Sequence, residues 1–428
     1  MSTSVSAPGD RLKRRDRFRA YMQAFNPTAP ARGVIEAGLV YEDLHSSLFR
    51  NLAGRADLEP GSQQLLVGGI GSGKTTELLL AERWLREQGH VLPLYIDISE
   101  ETDLSSLNSG SLLASFGMHL ARQLYTDFQV FTQKTEETEK LKRTYSRVNE
   151  YAYGKQVRVF VPEDEPDLDS EGEEDDENEK GYYAIQNVPG KLKPPLPALR
   201  RDIREIRAPL EEFLALARSV HKDIILFFDG LDRLLDPTKF WSVAHQDLRL
   251  FHGLKVSIVS TAPIPVLFGV GVGQSVSDQF DRVHHLPVVA TVPEHGPLRS
   301  VLERRHGYEL LSQQEADSIC RYSGGVLRDL ISLARDAAEE AYVSDHESVN
   351  SEDVEKVVRQ LGTGYLRGLG PEAIKTLLNL EKSKSFRIDQ PANVELLVTR
   401  RVLEYSSTDF RVHPALLSVI PRPEPKSA

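Results

Sequence analysis

The sequence is short of cysteine and of long apolar runs, and each shortage removes a class of protein. Cys320 is the single cysteine among 428 residues, so a disulfide framework and a cysteine zinc site within one chain are excluded. Its neighbours repeat at helical spacing, and Cys320 reads as a small core residue on an amphipathic helix. No apolar run exceeds five residues, as in Ile224 to Phe228, whereas about 18 are needed to cross a bilayer. Arg11, Lys13, Arg14, Arg15, Arg17 and Arg19 make the start basic, with no apolar segment after them to suggest secretion. The expectation is a cytoplasmic protein with no membrane partner.

The formal net charge is −11, but it is unevenly placed. Residues 163–179 hold 12 acidic side chains, and without residues 163–180 the remainder carries 51 basic and 51 acidic ones. The acidity therefore belongs to one stretch and says little about partners of the folded parts. That stretch, with Pro162, Pro166, Pro189, Pro194 and Pro195, has too few apolar residues to offset its ordering entropy. A disordered acidic insertion is expected over about 145–195.

Around it the pattern alternates. Leu65 to Val67 reads as a buried strand and Thr76 to Glu87 as a helix. Val91 to Ile98 is a strand, and a helix follows at 111–126, with Leu112, Leu113, Phe116, Leu120 and Leu124 on one face. A helix near 197–220 leads to strands at Asp223 to Phe228, Lys255 to Ser260 and His284 to Val289. Strands alternating with helices predict an α/β fold, a parallel sheet with helices on both faces. Helices are predicted at 297–306, 312–322, 325–343 and 351–361, the last capped by Asn350 or Ser351. Two more, at 371–382 and 391–400, precede a hairpin of 401–405 and 410–412. The domains expected are a basic arm (1–39), a P-loop domain (40–294), a helical lid (295–365) and a small C-terminal domain (366–421). Residues 1–20 read as a mobile arm or a short exposed helix, either a solvated tail or a contact for nucleic acid or a partner.

Gly68-Gly69-Ile70-Gly71-Ser72-Gly73-Lys74-Thr75 fits G-x-x-x-x-G-K-[ST], lies between a strand and a helix, and is followed by Thr76. Glycines there let backbone N–H groups and the helix start face phosphate oxygens. Lys74 would reach the β and γ phosphates of ATP, and the Thr75 hydroxyl would ligate Mg²⁺. The apolar strand 224–228 ends in Asp229, a second candidate Mg²⁺ ligand. Gly230 follows, where many ATPases carry a glutamate. Asp232 is the next carboxylate and the candidate general base, with helix capping or pairing to Arg233 as the alternative. Ser260-Thr261 ends a strand, where a hydroxyl could contact the γ-phosphate or simply cap. Arg282, before the 284–289 strand, and Arg328, opening a helix, are candidates to neutralise phosphate charge; ordinary surface arginine is the alternative for both.

The order GGIGSGKT, FFDGLDR, ST, FDRV and GGVLRDL resembles AAA+ and STAND-type P-loop ATPases with an origin-recognition-like layout, over about residues 40–415. The resemblance implies that Asp229 is the Walker B acid and Thr261 or Ser260 sensor 1. It implies that Arg282 is an arginine finger reaching a neighbouring subunit, and that Arg328 is the lid's sensor 2. VLEYSSTDFRVHPAL looks like the wing of a winged-helix domain, although one helix is missing between 383 and 391. DNA is a possible partner there, but only Arg400 and Arg401 supply base at that helix, where six or more phosphate contacts mark strong binding. The Asp-Gly-Leu-Asp stretch departs from the usual Asp-Glu and points to slow hydrolysis. The leading expectation is an ATP-dependent switch that self-assembles and acts on a protein partner, by analogy with prokaryotic defence or signalling ATPases. A DNA-binding initiator or transposition ATPase, and a nucleotide-stabilised scaffold without turnover, are the alternatives.

Overall fold

The computed structural model describes residues 8–40, 44–128, 135–153, 202–234, 236–268, 272–291, 296–388 and 390–421. The acidic run lies outside the described residues. The core is a parallel sheet of β1 (Gln63–Gly68), β2 (Val91–Asp97), β3 (Asp223–Asp229), β4 (Ser257–Ala262) and β5 (Arg282–Leu286), in the order β2-β3-β4-β1-β5. Side chains along a strand alternate between faces. Ile224, Leu226 and Phe228 accordingly enter one apolar core, while Ile225 and Phe227 enter another. Both faces are covered, which is why β3 reads as an unbroken apolar run. Helices Ser111–Asp127, Ile203–Val220 and Pro237–Gly253 pack on the first face; Leu48–Leu58 and Lys74–Gln88 pack on the second.

Two expectations need correction. The insertion does not begin at 145, because Glu136–Tyr153 is a helix. Its Leu141, Tyr145, Val148 and Ala152 follow a 4-3-4 spacing and are buried against the first face. Abundant Lys, Arg and Glu between them lowered the average hydropathy and hid the stripe. Nor are residues 8–20, the described part of the basic stretch, a solvated tail. Pro8–Ala24 is a helix whose Phe18 and Tyr21, with Phe25 just after it, are almost fully buried in the core of the C-terminal helices. These three stand at i, i+3 and i+7, one face of a helix. Arg14 donates to the carbonyls of Tyr342 (3.0 Å) and His346 (2.8 Å), so part of the basic charge serves docking.

The helices Pro297–Arg304, Gln313–Tyr322, Leu327–Val343 and Ser351–Leu366 form that second core with Leu302, Ile319, Leu330, Ala334 and Val354. Asn350 caps the last helix in a reciprocal box with Asp353. Cys320 is half-buried against this core, and burial pushes its thiol up to about 12. A further small core joins Pro371–Ser383, Pro391–Val398, the antiparallel hairpin β6 (Val402–Ser406) and β7 (Asp409–Val412), and Pro414–Leu417. Residues 384–388 carry no helix. No helix among the described residues is long and apolar enough to cross a membrane.

Candidate functional site

Strand order decides which loops meet. β4 lies between β1 and β3, pairing Val67 with Ala262 and Phe228 with Ser260. The glycine loop after β1 and the carboxylate ending β3 therefore open at the same edge of the sheet, where parallel α/β sheets hold ligands. There they border a cleft of about 680 Å³ whose opposite wall is built by residues 26–31, Val301, Arg305, Leu327, Arg328 and Ile331.

Within the loop, Ile70, Gly71, Gly73, Lys74, Thr75 and Thr76 line the cleft. Gly73 starts the helix with φ +104°, a conformation that side-chain-bearing residues rarely adopt. Gly68 and Gly69 do not line it but turn their carbonyls to Lys74 Nζ, at 2.9 and 3.0 Å. The Ser72 hydroxyl is buried without a hydrogen-bond partner. Lys74 is 5% exposed and its third donor meets Asp232 Oδ2 at 2.9 Å. All three ammonium protons are thus satisfied within the protein. Asp232 accordingly pairs across the cleft with Lys74, a partner that neither sequence alternative named.

Asp229 is 2% exposed. It accepts from Tyr95 Oη (2.8 Å), from Gly230 N (2.8 Å) and from Thr75. Burial pushes its carboxyl up, and the charge of Asp232 adds to this against those hydrogen bonds. A cation would relieve both effects. Gly230 has φ +82°, and a Cβ there would stand 2.5 Å from Asp97 Oδ1 and 2.8 Å from Ser99 N. Any side chain at the position after Asp229, glutamate included, would thus be strained.

The remaining candidates are distributed. Ser260 and Thr261 lie inside β4 instead of closing it; both are buried, and Thr261 Oγ1 approaches the Phe228 carbonyl at 3.5 Å. Neither belongs to the cleft wall. Arg282 is the first residue of β5, not a loop residue before it. It is exposed and opposite Gln64, at the far end of the sheet from Gly68. Arg328 is exposed in the cleft wall, and a Cβ on Gly71 would lie 3.0 Å from its Cβ. The Leu327 N–H donates to the Gly71 carbonyl at 3.0 Å, so the Leu327–Val343 helix rests directly on the loop.

Several cleft residues escaped sequence reasoning. His45 Nε2–H donates to the Ser72 carbonyl at 2.8 Å, and burial lowers its affinity for a second proton. Glu77 accepts the Phe49 N–H at 2.8 Å, and burial raises its carboxyl to about 7. Arg305 is 7% exposed and donates to the Ala24 carbonyl at 2.9 Å. The position of Glu77 three residues after the invariant lysine of the motif was the one available signal. His45 and Arg305 enter through tertiary packing alone.

Beside Arg328, Asp329 turns away from the cleft. It pairs with Arg400 (2.9 Å) and His413 (3.2 Å) and accepts from Tyr365 Oη. Burial would raise its carboxyl, but His413, Arg400 and Tyr365 together hold it below the usual carboxylate range. Tyr405 Oη also donates to the Gly324 carbonyl at 2.7 Å. The C-terminal unit is thereby tied to the first turn of the helix that carries Arg328.

No family model matches the chain, and no curated protein matches it. Among solved structures it is similar to the Aeropyrum pernix ORC2 protein in ADPNP-ADP complexes, at 13% identity and a TM-score of 0.43, over 86% of this chain and 88% of that one. It is similar to Drosophila ORC bound to DNA, at 13% identity and 0.42, over 90% and 76%. It is also similar to Cdc6p from Pyrobaculum aerophilum, at 12% identity and 0.41, over 92% and 96%. Those likenesses are too distant to assign an activity. The chain is an α/β fold, a parallel sheet with a P-loop between β1 and the Lys74–Gln88 helix, followed by a helical C-terminal region.

Proposed function

We propose that the chain is an ATP-binding switch ATPase whose nucleotide holds lid and sheet together and promotes self-assembly and engagement of a protein partner. One observation carries this: the phosphate-binding loop, Asp229 and the lid residue Arg328 converge on a single cleft, with the lid bonded to the loop through Leu327. Loop N–H groups, the helix start and Lys74 would bind phosphate. A Mg²⁺ ion held by Thr75 and Asp229 would supply charge neutralisation. No group of three or more metal-ligating side chains occurs among the described residues, so phosphate oxygens and water would complete its shell.

Phosphate competing for Lys74 would free Asp232, which could then accept a proton from water. With Gly230 where a glutamate would be strained, turnover would be slow. Arg328 would report the γ-phosphate in its own cleft. Arg282 lies too far along the sheet for that and would act on a neighbouring copy. Light scattering should show larger assemblies with ATP and Mg²⁺ than without; an unchanged mass would sink the assembly part. Phosphate release should vanish in Asp232→Asn, and turnover undiminished there would remove Asp232 as the base.

The DNA-binding alternative is disfavoured by one observation. Arg400 is committed to Asp329, and Arg401 donates to the carbonyls of Tyr365 (2.9 Å) and Arg367 (2.8 Å). The bases expected to face DNA serve internal packing. A salt-sensitive duplex gel shift at low ionic strength would reinstate it.

A further inference from the structure

Arg305 is a buried cation with no acidic partner among the described residues. It follows the Pro297–Arg304 helix, lines the cleft and is 7% exposed. Its Nη1 donates to the Ala24 carbonyl, where the N-terminal helix ends. Among the described residues no carboxylate forms an ion pair with it, and its Nε is buried without a hydrogen-bond partner. Burial lowers its pKa to about 10. An unpaired buried charge is costly, and such groups are ordinarily satisfied by a counter-ion or ligand. Capping the N-terminal helix accounts for Nη1 and leaves Nε unexplained.

The surrounding wall indicates what the ligand is. Pro27, Pro30, Val34, Leu39, Val40, Leu44 and Ile331 line the same cleft. That apolar lining suits a flat heteroaromatic ring and not a phosphate, which the loop already serves. A guanidinium offers N–H donors to ring acceptors and a planar cation to the ring's face.

We propose that Arg305 recognises the base of the bound nucleotide by donating to an acceptor on the ring edge. This rests on the nucleotide reading of the cleft and adds a specificity residue to it. Arg305 is also the point where the N-terminal helix, the lid and the ligand meet, so base recognition fixes the N-terminal segment across the cleft.

The test is calorimetric titration of the full chain with ATP and, separately, with inorganic tripolyphosphate, which has no base. The variants are Arg305→Gln and Arg305→Lys; the lysine keeps a cation for the Ala24 carbonyl and loses the fork. Both should weaken ATP by about tenfold, the size of one charge-assisted hydrogen bond, while tripolyphosphate affinity stays unchanged. Unchanged ATP binding in both variants would overturn the proposal. So would equal losses for ATP and tripolyphosphate in the lysine variant, which would make Arg305 a structural cap. Wild-type protein binding neither ligand would instead overturn the nucleotide reading, and this proposal with it.

Discussion

The two walls of the cleft are built by different routes. On the sheet side, residues 68–76 and 229–232 are two short stretches, each attached to the end of a buried strand. Strand order alone brings them together. On the lid side, residues 26–31, 301–305 and 327–331 come from opposite ends of the chain, and they meet only after Phe18, Tyr21 and Phe25 enter the lid core. The chemistry is thus local, whereas the enclosure depends on long-range packing. Loop-closure entropy makes the second kind of wall slower to form and easier to lose.

Breaking the lid wall should have the larger effects. Asp329→Ala leaves Arg400 and His413 without their buried carboxylate, and loss of one partner of such a pair costs about 3–5 kcal/mol. Chemical denaturation should show that loss; a change below about 1 kcal/mol would mean that the C-terminal unit is held mainly by apolar contact. Phe18→Ala empties a buried ring site and should cost about 3 kcal/mol. If the walls differ as argued, its calorimetric trace splits into an early lid transition and a late sheet transition. One unsplit transition would show that the two walls fold as a single cooperative unit.

Changes on the sheet wall should be smaller and narrower. Glu77 has its carboxyl raised from 4.5 to about 7. Its protonated form is favoured in the fold, so its contribution to stability is full below about pH 4.5 and is lost as pH rises from there to about 7. The full span is on the order of 3 kcal/mol. Glu77→Gln should flatten stability between pH 5 and 8, and an unaltered slope in thermal melts would clear Glu77 of the effect. Gly230→Ala should cost about 1–2 kcal/mol through the positive φ and the crowding by Asp97 and Ser99. A variant as stable as the parent would reopen that position to glutamate-type catalysis.

This contrast also explains what the sequence could reveal. The loop, Asp229 and the strands of the sheet were legible because each is written in consecutive residues with one period. The 136–153 helix and the N-terminal helix were not, because their apolar stripes are thin and set among charged residues. Leu141, Tyr145, Val148 and Ala152 carry the first, and Phe18, Tyr21 and Phe25 the second. The Lys74–Asp232 pair is 158 positions apart in sequence, and no spacing rule connects such residues. Arg305 stands among three bases in Arg304-Arg305-His306, and no spacing singles it out. Only the placement of Ala24 beside it shows otherwise.

Arg328 and Asp329 are consecutive on one helical turn, one facing the cleft and the other gripping Arg400 and His413. Adjacent residues on a helix are offset by about 100°, so the two side chains swing on a common axle. A rotation of this helix about its axis would carry Arg328 and the Asp329 grip together. The cleft and the residues that flank the C-terminal hairpin thus share one helical turn, with no loop between them.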